Sequence, residues 1–161
     1  MKHIEEQAKE LWNKTFGDSR EYIDKFFNLY FKEGNFFHLE ENGKLLSMLF
    51  ATHHRLKIDD KIVPIAYIGS VCTQESHRNQ GLANLLMQKA ESELSNLGKK
   101  AVILIAAHEG LVPFYEKMGY KTCSFTEEFE VSAESIPIEI VEISKEEYAK
   151  LRKNFLPEKA V

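Results

Sequence analysis

The chain has 161 residues, of which 43% are hydrophobic and 29% charged, with a formal charge of -4 at pH 7. That length is enough for a substantial core without disulfides or metal, and the acidic balance argues against bulk nucleic-acid binding. The apolar runs are too short to span a bilayer and no charged-then-apolar leader opens the sequence, so a cytoplasmic location without membrane or nucleic-acid partners is expected. Cys72 and Cys123 sit in strand-like contexts without metal-ligand spacing. They read as reduced and buried, and no metal site is expected.

In chain order, Ile4, Ala8, Leu11, Trp12 and Phe16 place one broad apolar face on a helix over residues 3–16. Gly17-Asp18-Ser19 breaks it, and either Asp18 or Ser19 can cap a second helix running to about Lys32. Phe26, Phe27, Tyr30 and Phe31 make that helix aromatic, chiefly for the core, with a few rings able to line a pocket. Three strands follow, near 35–40, 44–57 and 60–73, with Asn42-Gly43 and Asp59-Asp60 as turns. Such short turns predict antiparallel neighbours. His53 and His54 are expected to end a strand, one ring buried and the other solvated.

Residues 71–84 carry most of the functional signal. A β-rich run ends at Thr73, a short polar stretch follows, and Arg78-x-x-Gly81-x-Ala83 opens into a helix patterned by Leu82, Leu85, Leu86, Ala90, Leu94 and Leu97. A helix N-terminus offers unpaired N–H groups and a positive dipole end, so it suits anions. Gly81 and Ala83 keep the turn bare, and Arg78 adds a fixed positive charge. Beyond it lie an apolar strand at 100–106, a short helix at 109–117 stopped by Gly119, and a strand at 120–131. An edge strand at 138–143 after Pro137 and a Ser144-capped helix ending near Phe155, before Pro157, complete the chain. The Glu127-Glu128-Glu130 cluster reads as a solvated strand edge or, alternatively, as an attractor of a cationic amine. The pattern is α/β (α+β), a mixed central sheet flanked by helices, in a single domain over residues 1–161.

Neither Gly-x-x-x-x-Gly-Lys-Ser/Thr nor Gly-x-Gly-x-x-Gly is present, so ATP and NAD readings lose their main support. Arg78-Asn79-Gln80-Gly81-Leu82-Ala83 between a strand and a leucine-patterned helix, followed by Tyr115-Glu116-Lys117-Met118-Gly119-Tyr120, resembles the GNAT superfamily of acyl-CoA-dependent N-acyltransferases. Ala83 fills a slot more often held by Gly, and His108 stands where the family usually has Asn. The resemblance reaches from about residue 35 to residue 131.

The resemblance implies a GNAT fold, with residues 1–33 as a helical acceptor-side element, 35–131 as the acyl-CoA-binding core, and 132–161 as an edge strand and helix. It implies acetyl-CoA as co-substrate and acetyl transfer to a primary amine, on a small molecule or a peptide, by direct attack in a ternary complex. A family bulge would free main-chain groups of Val71, Cys72 and Thr73 for pantetheine. Amides of Asn79, Gln80, Gly81, Leu82, Ala83 and Asn84 would hold the pyrophosphate beside Arg78, with His108 also at the cofactor. Tyr115 takes the position of the general acid.

Tyr67 stands where several relatives carry a catalytic carboxylate or His, and is expected to order a water or contact the acceptor instead; His108, Glu109, His53 and His54 are other candidates for the base. An acyl-CoA-binding module with little catalysis is the alternative, and an interaction domain that has lost CoA a third. Homodimers through sheet edges or the last strand are common among relatives, so that assembly stays open.

Overall fold

Asn42 (φ 50°) and Gly43 (φ 74°) join β1 (Phe36–Glu41) to β2 (Lys44–Ile58). Two positive φ values match the right-handed twist of the flanking strands, which is why Asn-Gly marks such turns. β2 pairs antiparallel with β3 (Lys61–Thr73). β3 in turn pairs parallel with β4 (Ala101–Ile103), giving a mixed sheet in the order β1-β2-β3-β4. The computed structural model describes residues 2–58, 60–123 and 143–155. By its contacts the chain divides into two units, residues 1–109 and 110–161.

Within the first unit the sheet is buried on both faces. α1 (Lys2–Phe16) and α2 (Arg20–Tyr30) cover one; Ala8, Leu11 and Ile23 share a buried cluster with Met48, Phe50 and Cys72. The alternate residues Leu49, Ala51 and Ile68 are buried as well, and α3 (Leu82–Asn96) packs against β1, β2 and β3. Side chains alternate across a strand, so these residues belong to the other face. The cap of α2 is Ser19, whose hydroxyl accepts from the Tyr22 N–H at 3.2 Å. Asp18 is used differently, accepting from the Trp12 indole N–H at 2.7 Å.

Several expectations change. The buried seam of α3 is Leu86, Met87, Ala90 and Leu94, whereas Leu85 and Leu97 are exposed. At roughly 100° per residue Leu85 falls on the far side of that seam, and Leu97 lies past the last helical turn. β4 stops at Ile103 rather than near residue 106. Cys123 is exposed while Cys72 is buried, because residues 120–123 form no strand to cover the second thiol. The remainder of the expected strand at 120–131, the Glu127-Glu128-Glu130 cluster and residues 138–142 of the expected edge strand lie outside the described residues.

In the second unit, α4 (Val112–Glu116) ends at a turn with Gly119 at φ 94°, the left-handed stop expected there. α5 (Lys145–Phe155) begins with a reciprocal cap. The Ser144 hydroxyl accepts from the Glu147 N–H at 3.2 Å, and the Glu147 carboxylate accepts from the Ser144 N–H at 2.8 Å.

α1 and α2 are tied by charge as well as by rings. Buried Lys9 reaches Asp24 at 2.9 Å and Glu5 at 3.0 Å, and Arg20 reaches Glu6 at 2.7 Å. Burial opposes the Lys9 charge, but the hydrogen bonds it donates to Asp24 and Glu5 outweigh it and raise its pKa. The bond from Lys9 holds Asp24 below the ordinary carboxylate value, and the bond from Arg20 does the same for Glu6. A depressed carboxylate adds stability above its unfolded pKa and loses it as pH falls. The raised Lys9 would lose its share only in strong alkali. Thermal unfolding should therefore be flat near neutrality and drop below about pH 4, with Lys9→Met showing a smaller drop between pH 7 and pH 3 than the parent.

Candidate active site

β3 is interrupted where a ligand could use it. In its pairing with β2, Gly69 faces Phe50 and Cys72 faces Met48, so Ser70 and Val71 together stand against Leu49. Ser70 takes φ 53°, the left-handed start typical of a bulge that bends the strand and adds twist. On the other edge, the last β4 partner is at Tyr67. From Ile68 to Thr73 the strand has no β4 neighbour among the described residues, so that edge could take another partner. Beyond the bulge the chain is pinned again, since buried Ser47 donates to the Cys72 carbonyl at 3.1 Å and bonds the Thr73 hydroxyl at 2.9 Å. Burial pushes the Cys72 thiol up to about 12, so it stays protonated and does not serve as a nucleophile.

The same strand then reaches the start of α3. Asn79 (φ 59°) and Gly81 (φ 76°) are both left-handed. Gly81 is the N-cap and carries no side-chain bond to the helix, so the first-turn N–H groups of Leu82, Ala83 and Asn84 have no side-chain cap. The first helical bond is from the Leu85 N–H to the Gly81 carbonyl, 3.0 Å. Arg78 is exposed and donates from Nε to the Thr73 carbonyl at 3.3 Å, joining the turn to the end of β3. A bare positive helix end beside an open strand edge fits a diphosphate with an amide-rich arm.

On the α1/α2 face a pocket of about 260 Å³ opens against the bulge. The helices contribute Trp12, Tyr22, Phe26 and Tyr30; the sheet contributes Phe50, Thr52, Tyr67, Gly69 and Ser70. Gly69 and Ser70 thus belong to the pocket and to the open stretch of β3. The Tyr67 ring lies over Gly69, where an added Cβ would stand 3.1 Å from its Cε1. Trp12 meets Phe26 and Phe50 with ring centroids 4.8 and 5.8 Å away, so the pocket wall is continuous with the core.

Of the sequence-selected residues, Tyr67 is in the pocket, Val71, Cys72 and Thr73 follow its rim, and Arg78 to Asn84 make the helix entry. His53 and His54 depart from expectation: both are exposed, and both lie inside β2 rather than at its end. Antiparallel pairing with Ala66 and Ile65 continues through them. His53 bonds the Gly34 carbonyl at 3.2 Å; partial burial lowers its pKa. His54 bonds the Thr52 hydroxyl at 2.8 Å through Nε2. His108 is exposed at the end of the first unit, and Tyr115 lies on α4 of the second, its ring 5.2 Å from that of Phe114. Sequence reasoning missed Thr52, Gly69 and Ser70. The Gly-Ser pair inside a strand pattern was the available sign of a bulge.

Residues 2–123 match the family model of the acetyltransferase (GNAT) domain, and the chain belongs to that family of acetyltransferases. An uncharacterized N-acetyltransferase of Chlorobaculum tepidum is 39% identical over 59 residues. That match spans 37% of this chain and 36% of the relative's length. A putative acetyl transferase from Pyrococcus furiosus superposes with a TM-score of 0.64 at 24% identity, covering 80% of this chain and 93% of its own. The aminoglycoside acetyltransferase AAC(6')-Iy, solved with a CoA-containing bisubstrate analogue, gives 0.66 at 12% identity, covering 80% and 92%. At such identities these likenesses concern the fold. Among the described residues no helix is long and apolar enough to cross a membrane.

Two glycines test the geometry. Gly81→Ala should cost about 1–2 kcal/mol in urea unfolding, because its left-handed φ crowds any Cβ. Gly69→Ala should leave stability nearly unchanged while tilting the Tyr67 ring by a few tenths of an ångström, visible in a crystal structure of the variant.

Proposed function

We propose that the chain moves an acetyl group from acetyl-CoA to a primary amine by direct attack in a ternary complex. The observation that carries this reading is that the aromatic pocket and the unpaired edge of β3 meet at Gly69 and Ser70. An amine held in the one is thereby placed beside a thioester held along the other. That AAC(6')-Iy was solved with a CoA-containing bisubstrate analogue supports the choice of donor.

Acetyl-CoA supplies the activated acyl group. Main-chain groups of Val71, Cys72 and Thr73 hold its pantetheine arm, and the amides from Asn79 to Asn84, with Arg78, take the diphosphate. An N–H at the bulge faces the charge that develops on the attacked carbonyl. Tyr115 gives a proton to the departing sulfur, a role that rests on its Tyr-Glu-Lys-Met-Gly-Tyr motif, as does that of His108 at the cofactor. A tyrosine, with an ordinary pKa near 10, is protonated at neutral pH and suits that task.

The acceptor has to lose a proton first, since a free lysine-like amine has a pKa of about 10.4. No carboxylate is among the described residues lining the pocket. Thr52 does line it, and its hydroxyl is 2.8 Å from His54 Nε2. Thr52 takes the amine proton while passing its own hydroxyl proton to the His54 imidazole. Tyr67, across the ladder from Thr52, orients the amine.

In a thiol-release assay His54→Gln and Thr52→Val should each lower kcat/KM by about a hundredfold with acetyl-CoA affinity intact. Unchanged turnover in His54→Gln removes the relay. Tyr115→Phe should lower kcat by a similar factor; full activity there removes the acid assignment. Acetyl-CoA binding without release from any amine would select the non-catalytic module, a reading that the missing carboxylate favours.

A further inference from the structure

We infer that the acceptor is a monoamine carried on a flat, apolar body, an aromatic ring with a short amine-bearing arm, rather than a polyamine or an amino sugar. The inference rests on the transfer reading above and narrows it. Size and wall chemistry both point this way. The pocket holds about 260 Å³, against roughly 150 Å³ for a cavity that accepts benzene. One ring or two fused rings with a short arm fill that space.

Trp12, Tyr22, Phe26, Tyr30, Phe50 and Tyr67 form most of the wall. Such faces pack against a flat ring in offset or edge-on arrangements. Edge and tilted contacts already link Trp12, Phe26 and Phe50 to one another, so a guest ring would extend an existing stack.

Charge selects in the same direction. Asp18, a carboxylate bonded to this wall, accepts from the Trp12 indole N–H at 2.7 Å. Among the described lining residues none is ionised at neutral pH. A polyamine or an aminoglycoside carries several ammonium groups, each of which loses hydration on entry and needs a counter-charge. Ring faces return about 2 kcal/mol to a desolvated cation, less than the several kcal/mol lost with each further ammonium's hydration. A monoamine has one charge, at the end that must become neutral before it attacks. Desolvation in an aromatic pocket shifts that amine toward its neutral form, which assists the reaction instead of opposing it. The open rim at Tyr22, 51% exposed, is the route of entry.

The test combines calorimetric binding of acetyl-CoA with thiol release for phenylethylamine, tryptamine, spermidine and an aminoglycoside on the full chain. kcat/KM for phenylethylamine or tryptamine should exceed that for spermidine by roughly ten- to hundredfold, the factor expected for burying one ring. Tyr22→Asp, at a half-exposed site compatible with folding, should shrink that ratio by placing a carboxylate at the rim, and Tyr22→Phe should keep it. A merely structural role for Tyr22 would move both variants alike, leaving the ratio unchanged, and would count against the inference. Spermidine or the aminoglycoside matching the aromatic amines, with acetyl-CoA binding intact, overturns the acceptor class and leaves the transfer reading standing. Acetyl-CoA binding with no release from any amine of the panel also overturns the acceptor class, and counts toward the non-catalytic module as well. Absence of acetyl-CoA binding overturns both.

Discussion

A β-strand cannot be paired on both edges and also lend its main chain to a ligand. β3 meets that constraint by using its length unevenly. Its first part is held on both sides, by β2 throughout and by β4 at residues 65–67. Past Tyr67 the β4 edge is open, and at Ser70 a left-handed residue sets two positions against one. Main-chain N–H and C=O groups taken out of water need partners, so an open stretch of this kind suits a bound chain with amides of its own. Ser47 limits the disruption by fastening Cys72 and Thr73 immediately afterwards. The strand therefore arrives in a defined direction at the turn that begins α3.

Around this strand two kinds of surface are kept apart. Toward α3 the turn is bare and its N–H groups lack a side-chain cap, an environment for negative charge. Toward α1 and α2 the surface is aromatic, and the described lining contains no ionised group. Charges belonging to the helices are spent on one another in the Lys9, Asp24, Arg20 and Glu6 network, away from that lining. Gly69 lets the Tyr67 ring lie down on the strand, which shapes the aromatic floor next to the bulge. An aromatic pocket and a bare helix entry thus share a strand while each keeps its own electrostatics.

Much of the architecture is encoded locally. Asn42-Gly43 makes its hairpin because both residues accept positive φ at low cost, and Ser19 caps α2 because its hydroxyl reaches the N–H three residues on. Gly81 is left-handed at the head of α3 for the reason that made it visible in the sequence. Where local signals ran out, the errors were of register and face. Leu85 shared the composition of the seam but not its phase, and the run at 100–106 looked like a full strand although only three of its residues find a partner. His53 and His54 seemed alike as a pair, yet strand alternation sends them to opposite faces, and only one reaches Thr52.

Sequence alone determined the order of the described helices and the first strands, the turn chemistry and the bare, left-handed entry to α3, because each depends on residues within a few positions of one another. The family followed from two such local motifs in the right order. Tertiary structure decided the rest: where β3 parts from β4, which rings form the pocket, and which histidine adjoins it. Those features join residues from α1, α2, β2 and β3 that are remote along the chain. Their meeting is fixed by register and packing, which no short stretch of sequence carries.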